Sequence, residues 1–522
     1  MTYVDYPTPR RRQSPIFKKI YRSMLLLTAL ALSIWFWRRN LKDAFLWMTL
    51  TYLGVGLIAW ADFSSVSVAA NAFPKILKDF IMLGMVGFVQ SMAVRKQISV
   101  WSAVILIFAM FAAVHYLEQL IEVEEGKALT QKDIPAAISQ LVEVKEGATF
   151  DELEDFAARQ RLELERAFFP EAASETLLDN YFVLSGTPAN SDWEAALATL
   201  PTVTYWEPNE TIQVEPFIDP VETKIPATTN SLSINDPFTS EQWAMEVLHM
   251  DEYYQLLHRQ TPRKMARVVI LDTGIDGDHE DLVDNYTSIE SKYDNDPHGH
   301  GTHCAGIAAG VTNNGLGIGS LAGSGDSPFV AVSSVKVLSS GGMGTQKTII
   351  AGIIEAVDEG ADVVSLSLGG RSTQSSQRAY SAAVEYAHKR GAIVVAAAGN
   401  SNRDAKDFAP ANAKGIITVS AIDQLLLRAP FSNRTENIQM AIAAPGVGIY
   451  STIPGNGYKS YSGTSMACPF VAGLLGVMKS LDPDLDHRRA YALLHNTGRE
   501  STETRITGRI VQPAAALAAL LR

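Results

Sequence analysis

Hydrophobic residues are spread unevenly along the 522-residue chain. A basic N-terminal segment, 1–23, carries Arg10, Arg11, Arg12, Lys18, Lys19 and Arg22. Four apolar runs follow, at about 24–37, 44–61, 80–94 and 100–117. A helix that crosses a bilayer needs roughly 20 apolar residues, with about 17 tolerated, and the second and fourth runs meet that. The first and third are short and depend on their flanking basic residues reaching back to the headgroups. Trp35, Trp37, Trp47, Trp60 and Trp101 lie near run ends, where an interfacial belt would put them. Residues 24–117 are therefore expected to form four transmembrane helices, a multi-pass anchor in contact with membrane lipid, rather than a cleaved signal peptide. The face on which the remaining chain lies stays open. The basic N-terminus favours a cytoplasmic start, whereas Arg38, Arg39, Lys42, Arg95 and Lys96 in the short loops favour the opposite.

From 118 to 213 the chain turns acidic. Strand patterns at 138–144, 181–186 and 203–207 alternate with two helical patterns. One covers about 150–168, opened by Thr149 with Glu152 three residues on, and the other starts after Asn190-Ser191-Asp192. This order predicts a small α+β domain of split βαβ, ferredoxin-like type. Residues 214–240 are rich in Pro, Thr, Ser and Asn without periodicity and read as a linker. Over 241–522, β-branched runs at 266–271, 330–337, 362–368 and 392–397 alternate with helical patterns such as 347–359 and 375–390. Continuous apolar strands between helices predict an α/β fold, a parallel sheet sandwiched by helices, with its sites at the carboxyl ends of the strands.

Charge and cysteine content narrow the picture. A net charge of −12 argues against a nucleic-acid partner, which would need a basic surface. Cys304 and Cys468 are the only cysteines, so there is no disulfide framework; they read as buried, inert thiols, with a single bridge between them left open.

Candidate chemistry gathers at strand ends. Asp272 closes the run Val268-Val269-Ile270-Leu271, as a metal ligand or a phosphoryl acceptor. His298, His300 and His303 cluster at the mouth of a helix, with spacing poorly suited to zinc. Asn400 follows Ala397-Ala398-Gly399, as a turn former or as a donor to a developing oxyanion. Ser465 lies in the stretch 462–469 that leads into an apolar run of helical character at 470–475, as a cap or as a nucleophile favoured by unpaired backbone N–H groups.

Asp272-Thr273-Gly274-Ile275-Asp276, His300-Gly301-Thr302-His303, Ala398-Gly399-Asn400 and Gly463-Thr464-Ser465-Met466-Ala467 resemble the signature blocks of the subtilisin-like serine proteases. The blocks stand in the family's order over about 236–500, and His303-Cys304 resembles the proteinase K-type and thermitase-type branches. The resemblance implies a serine endopeptidase acting on polypeptide substrates. Ser465 would be the nucleophile, His300 the base, Asp272 its orienting carboxylate and Asn400 the oxyanion donor. It also implies that Gly341 and Gly342 on one side and Ser367, Leu368 and Gly369 on the other clamp substrate as an added strand. Ala397, Ala398 and Gly399 would wall the main pocket, which Phe408 could fill. His303 would be structural, and His298 reads as a loop residue.

No cofactor is implied for the chemistry. A structural calcium is expected near Asp281, Asn313 and Asn314. The domain at 118–213 resembles the family's inhibitory propeptide, an intramolecular chaperone and inhibitor, so self-cleavage is expected within 209–240. Cys468 and Phe470 depart from the common Thr or Ser and His. A non-catalytic membrane receptor or scaffold is the alternative reading, and the presence of all four catalytic residue types weighs against it.

Overall fold

The first described elements of the computed structural model run strand, helix, strand, strand, helix, strand: β1 (Ile138–Val144), α1 (Asp151–Gln160), β2 (Glu163–Arg166), β3 (Tyr181–Gly186), α2 (Trp193–Ala198) and β4 (Val203–Pro208). The structure describes residues 137–214, 234–323, 328–372 and 377–522. The basic segment and the four expected membrane runs lie outside the described residues, as does 215–233. Every described residue falls within one unit, Ile134–Arg522.

The four strands form an antiparallel sheet in the order β2-β3-β1-β4. Period-two alternation gives it two apolar faces. Val142, Val144, Phe182 and Leu184 pack on Leu153, Phe156, Trp193 and Leu197 of its own helices. Leu141, Tyr181 and Val183 point the other way and join a second cluster with Ile349, Ile353, Tyr380 and Ala383. The expected helix over 150–168 stops at Gln160. Arg161 takes a left-handed conformation (φ 60°) and returns its N–H to Ala157 and Ala158, and 163–166 leaves as a strand. That strand carries one apolar residue, Leu164, so no periodicity announces it.

The rest of the chain builds on a seven-stranded sheet. Strand β5 (Thr211–Gln213) comes first, followed by β6 (Ala266–Asp272), helix α3 (His300–Ala309), β7 (Val330–Lys336), β8 (Met343–Thr345) and α4 (Gln346–Asp358). Next are β9 (Val363–Leu366), β10 (Gly370–Arg371), α5 (Arg378–Lys389), β11 (Ile393–Ala397), β12 (Phe408–Ala409) and β13 (Ile417–Ile422). Last come β14 (Ala441–Pro445), β15 (Ile449–Ile453), β16 (Gly457–Tyr461), α6 (Thr464–Leu481) and β17 (Arg509–Ile510). The large sheet has the order β17-β14-β13-β11-β9-β6-β7, and its pairings are parallel. Strands β13, β14 and β17 lie beyond those the sequence pattern singled out.

Each central strand is buried on both faces. Val268 and Ile270 of β6 join the cluster of α3 and α6, whereas Val269 and Leu271 join that of α4 and α5. Among the described residues, α6 is the one helix long and apolar enough to cross a membrane, but it is wholly enclosed as the core helix. It approaches its neighbours closely: a Cβ on Gly473 would lie 2.4 Å from the Ala308 carbonyl oxygen, and one on Gly476 would lie 2.6 Å from Val268 Cγ2. Residues 235–240, read from sequence as linker, are fixed here instead, with Asp236 buried and the Phe238 N–H bonded to the Gly317 carbonyl.

A side chain at 473 meets backbone, which cannot move aside as a flexible neighbour could. In a Ser465→Ala background, which cannot digest itself, Gly473→Val is expected to lower stability by about 1–3 kcal/mol. A urea unfolding midpoint equal to that of the parent would contradict this packing.

Candidate active site

Asp272 ends β6 at the carboxyl edge of the sheet, and His300 opens α3 beside it. His300 Nδ1 lies 2.8 Å from both Asp272 carboxylate oxygens, and the two side chains are essentially without solvent contact. The Thr273 N–H also donates to Asp272 Oδ1 at 2.8 Å. The strand end and helix start can meet because residue 301 is glycine: a Cβ there would lie 2.1 Å from the Gly274 carbonyl oxygen. Asp296, which the sequence reading passed over, holds the helix start in place. Its carboxylate accepts from the N–H groups of Gly299 and Thr302 and from the hydroxyls of Thr273 and Thr302. An Asp just upstream of a helix that begins at the chemistry was the available signal.

Ser465 is the second residue of α6, where backbone N–H groups have no intrahelical partner. Four residues on stands Pro469, which has no N–H to return to the Ser465 carbonyl. The freed carbonyl accepts from the Ser367 hydroxyl at 2.8 Å and from the Cys304 thiol at 3.5 Å. Ser465 Oγ in turn donates to the Ser367 carbonyl at 3.0 Å. Cys304 Sγ is also 4.0 Å from His300 Nδ1, so one thiol touches both the imidazole and the serine backbone. Asn400 Oδ1 accepts from the Thr464 N–H and hydroxyl, both at 2.8 Å. That fixes the amide so that Nδ2 faces the turn before Ser465. A Cβ on Gly463 would lie 3.2 Å from Asn400 Nδ2 and 3.6 Å from the Ser465 nitrogen, so glycine keeps the space between these two donors clear.

Burial disfavours a charged His300, but the adjoining Asp272 carboxylate outweighs it and holds the imidazole above its ordinary range. Burial drives His303 down to about 3, so it stays neutral, bonded through Nε2 to the Lys459 carbonyl at 2.9 Å. Cys304 and Cys468 are free and buried, and burial raises both thiols, Cys468 to about 12. Neither offers a ready thiolate.

The expected cleft edges hold a strand of this same chain. Strand β5 pairs antiparallel with β8, Ile212 opposite Gly344 and Gln213 opposite Met343. On the other side Gln213 bridges to Gly369, and the Val214 N–H donates to the Gly342 carbonyl at 2.8 Å. Gly342 and Gly369 thus both touch this strand, Leu368 is buried behind it, and Gly341 is exposed at the turn. His298 is more than a remote loop residue: a Cβ on Gly342 would lie 3.2 Å from His298 Nε2 and 3.5 Å from Val214 Cβ. Ala397, the last residue of β11, and Ala398 after it are both buried, and Phe408 is buried against Gly399.

Away from the triad, the loop at 312–318 wraps Asp281. The Asn314 amide and the Ile318 N–H both donate to its carboxylate. Asn313 does not join them with its side chain, whose oxygen accepts from the Asn235 N–H. Asp236, not among the residues expected near a calcium, accepts from the N–H groups of Asn313 and Asn314. Burial pushes Asp281 up to about 7 and raises Asp236 as well. Among the described ion pairs neither has a Lys or Arg partner. Two buried acids thus lie against one loop, each held by N–H donors of that loop, and carboxylate oxygens are the ligand type that a hard cation takes.

A serine, an imidazole and a carboxylate at the carboxyl edge of a parallel sheet, with amide donors at a helix start, define a serine-hydrolase type of site. Comparison with known proteins agrees. The Subtilase family model matches residues 263–510. Thermitase of Thermoactinomyces vulgaris is 38% identical over 280 residues, 52% of this chain and 92% of its own length. Subtilisin DY of Bacillus licheniformis is 40% identical over 239 residues, 44% of this chain and 83% of its own. The chain belongs to the subtilase family and is a serine endopeptidase.

An imidazole must be neutral to accept a proton. If His300 is the base, then with its imidazole held above its ordinary range activity is expected to fall on acidification and to return as pH rises through the raised value. The kcat/KM profile for a peptide substrate is expected to have an acid-limb midpoint above about 6.5. A midpoint below that value would contradict the electrostatics described.

Proposed function

We propose that this chain is a membrane-anchored serine endopeptidase made as a zymogen that processes itself. Ser465 Oγ attacks the scissile carbonyl while His300 takes its proton and then delivers it to the leaving amine; water releases the acyl-enzyme by the same route in reverse. Asp272 holds the imidazole tautomer and stabilises the imidazolium. Asn400 Nδ2 and the Ser465 N–H receive the oxyanion; losing one such donor costs about 10²–10³ in turnover.

The observation that carries this reading is strand β5, a polypeptide lying between the two cleft edges as a substrate would. Because it leads straight out of the α+β domain, that domain is read as a cover that keeps the cleft filled. The anchor rests on the four apolar runs over 24–117, in a multi-pass arrangement. The alternative, a non-catalytic receptor or scaffold, has no observation in its favour. A structural Ca²⁺ is proposed beside Asp281, Asp236 and Asn314, with the Asn313 backbone in the same loop; the chemistry itself needs no cofactor.

Processing is tested by size. Wild-type protein is expected to lose its N-terminal portion while Ser465→Ala stays full length, with the new N-terminus between 215 and 234. Equal sizes would sink self-processing. For the cation, chelator is expected to lower the thermal midpoint of Ser465→Ala protein at pH 8, and Asp281→Asn to abolish the difference. The effect should shrink at pH 6, where protons compete for a carboxyl pushed up to about 7. A midpoint indifferent to chelator at both pH values would remove calcium from the account.

A further inference from the structure

Strand β5 lies in the cleft at one register. Ile212 stands opposite Gly344 and Gln213 opposite Met343, and the Val214 N–H reaches the Gly342 carbonyl at 2.8 Å, so three successive residues keep step with one edge. On the other edge Gln213 pairs antiparallel with Gly369. Side-chain alternation locks this step. Ile212 and Val214 are buried, whereas Thr211 and Gln213 are exposed. A slip of one residue would carry those polar side chains into the apolar places. A slip of two that brought Glu210 to the place of Ile212 would bury a carboxylate. The opposite slip of two brings Pro216 to the place of Val214, and proline has no N–H for the Gly342 carbonyl.

We propose that this register, kept for one residue more, brings the Glu215–Pro216 bond to Ser465, a bond the triad does not cut, so that the docked strand acts as an inhibitor and not as a substrate. This deepens the reading of the α+β domain as a cover and rests on it. The count follows from the antiparallel pairing, in which each step forward on one strand is a step back on the other. With Gln213 opposite Gly369, the place two residues on falls opposite Ser367. Ser367 is the residue whose carbonyl accepts from Ser465 Oγ at 3.0 Å and whose hydroxyl donates to the Ser465 carbonyl at 2.8 Å. By sequence the residue for that place is Glu215, and Pro216 follows it.

The C–N bond of the tetrahedral intermediate breaks as His300 gives its proton to the leaving nitrogen. In an ordinary peptide that nitrogen carries a hydrogen and is open to the imidazole. The nitrogen of proline carries ring Cδ instead, and the ring holds φ at about −65°, so the approach is obstructed and the nitrogen cannot turn to meet the acid. Proton delivery by a placed acid is worth about 10²–10⁴ in rate, and the ring withholds it. The same proline favours docking. It drives the residue before it toward extended backbone, the conformation that an added strand requires. One residue type thus holds the strand in place and spares its bond. Self-processing then takes place only out of this register, at a bond beyond Pro216.

N-terminal sequencing and intact mass of the fragments formed by the full chain test the register. Wild-type protein is expected to give no fragment that begins at Pro216. Pro216→Ala is expected to give one that begins at position 216, formed at least about 10²-fold faster than in wild type. The double variant Glu215→Leu/Pro216→Ala, which also takes a charge away from the main pocket, is expected to give the same fragment. A wild-type fragment beginning at Pro216 overturns the proposal, as does its absence from both variants. Its formation when Pro216→Ala is combined with Ser465→Ala overturns it too, because the cut is then not the chain's own. The cover is tested separately, by the rate at which a fluorophosphonate labels Ser465. Ile212→Lys, which puts a charge where a buried apolar residue fills the cleft edge, is expected to label faster than wild type. An unchanged rate sinks the cover reading and the proposal with it; a faster rate without the fragment at 216 overturns the register alone.

Discussion

The buried bond between His300 Nδ1 and the Asp272 carboxylate is the contact on which the rest of the site depends. Leaving either partner alone in the interior would cost several kcal/mol, so the fold must deliver both to one place. The parallel sheet supplies a strand end in the core and α3 supplies a helix start beside it. Gly301 lets backbone come within the reach of a missing methyl group, and Thr273 and Asp296 take up the remaining polar groups. Each of these residues does something a larger or apolar one could not.

Open helix starts recur as the working device of this chain. At α6 the unpaired amides and Pro469 leave the Ser465 backbone free to be held by Ser367 and Cys304 instead of by its own helix. At α3 the same unpaired amides are given to Asp296, which fixes the imidazole. At α4 and α5 they donate to Asn209, Glu210 and Glu207, on the stretch of chain that leads from β4 into β5. All three arrangements thus draw on one property of backbone, the donors that a helix cannot satisfy for itself.

Much of this was legible in the sequence because it is local. The runs ending at Asp272 and Ala397 become β6 and β11 within a residue, since a strand buried on both faces must be apolar throughout. Helices α4 and α5 likewise follow their patterns closely. What escaped is what depends on partners distant in the chain. Glu163–Arg166 is a strand because β3 is beside it, not because of its own polar residues. Asp296 and Asp236 look like ordinary loop acids until the N–H groups they accept from are known. Residues 235–240 read as linker because their anchor is a loop some eighty residues on, through contacts such as Asn235 with Asn313. Glu207 sits in a strand of alternating character, and nothing in that pattern shows that two helices of another domain will bury it.

The central claim is that the buried Asp272–His300 pair activates Ser465 and no other hydroxyl. Mass spectrometry of protein treated with a fluorophosphonate tests it most directly, by locating the adduct on a proteolytic fragment. The account predicts a single adduct on Ser465 that is lost in His300→Ala protein that is still folded. An adduct on a different serine, or undiminished labelling of Ser465 without His300, would contradict it.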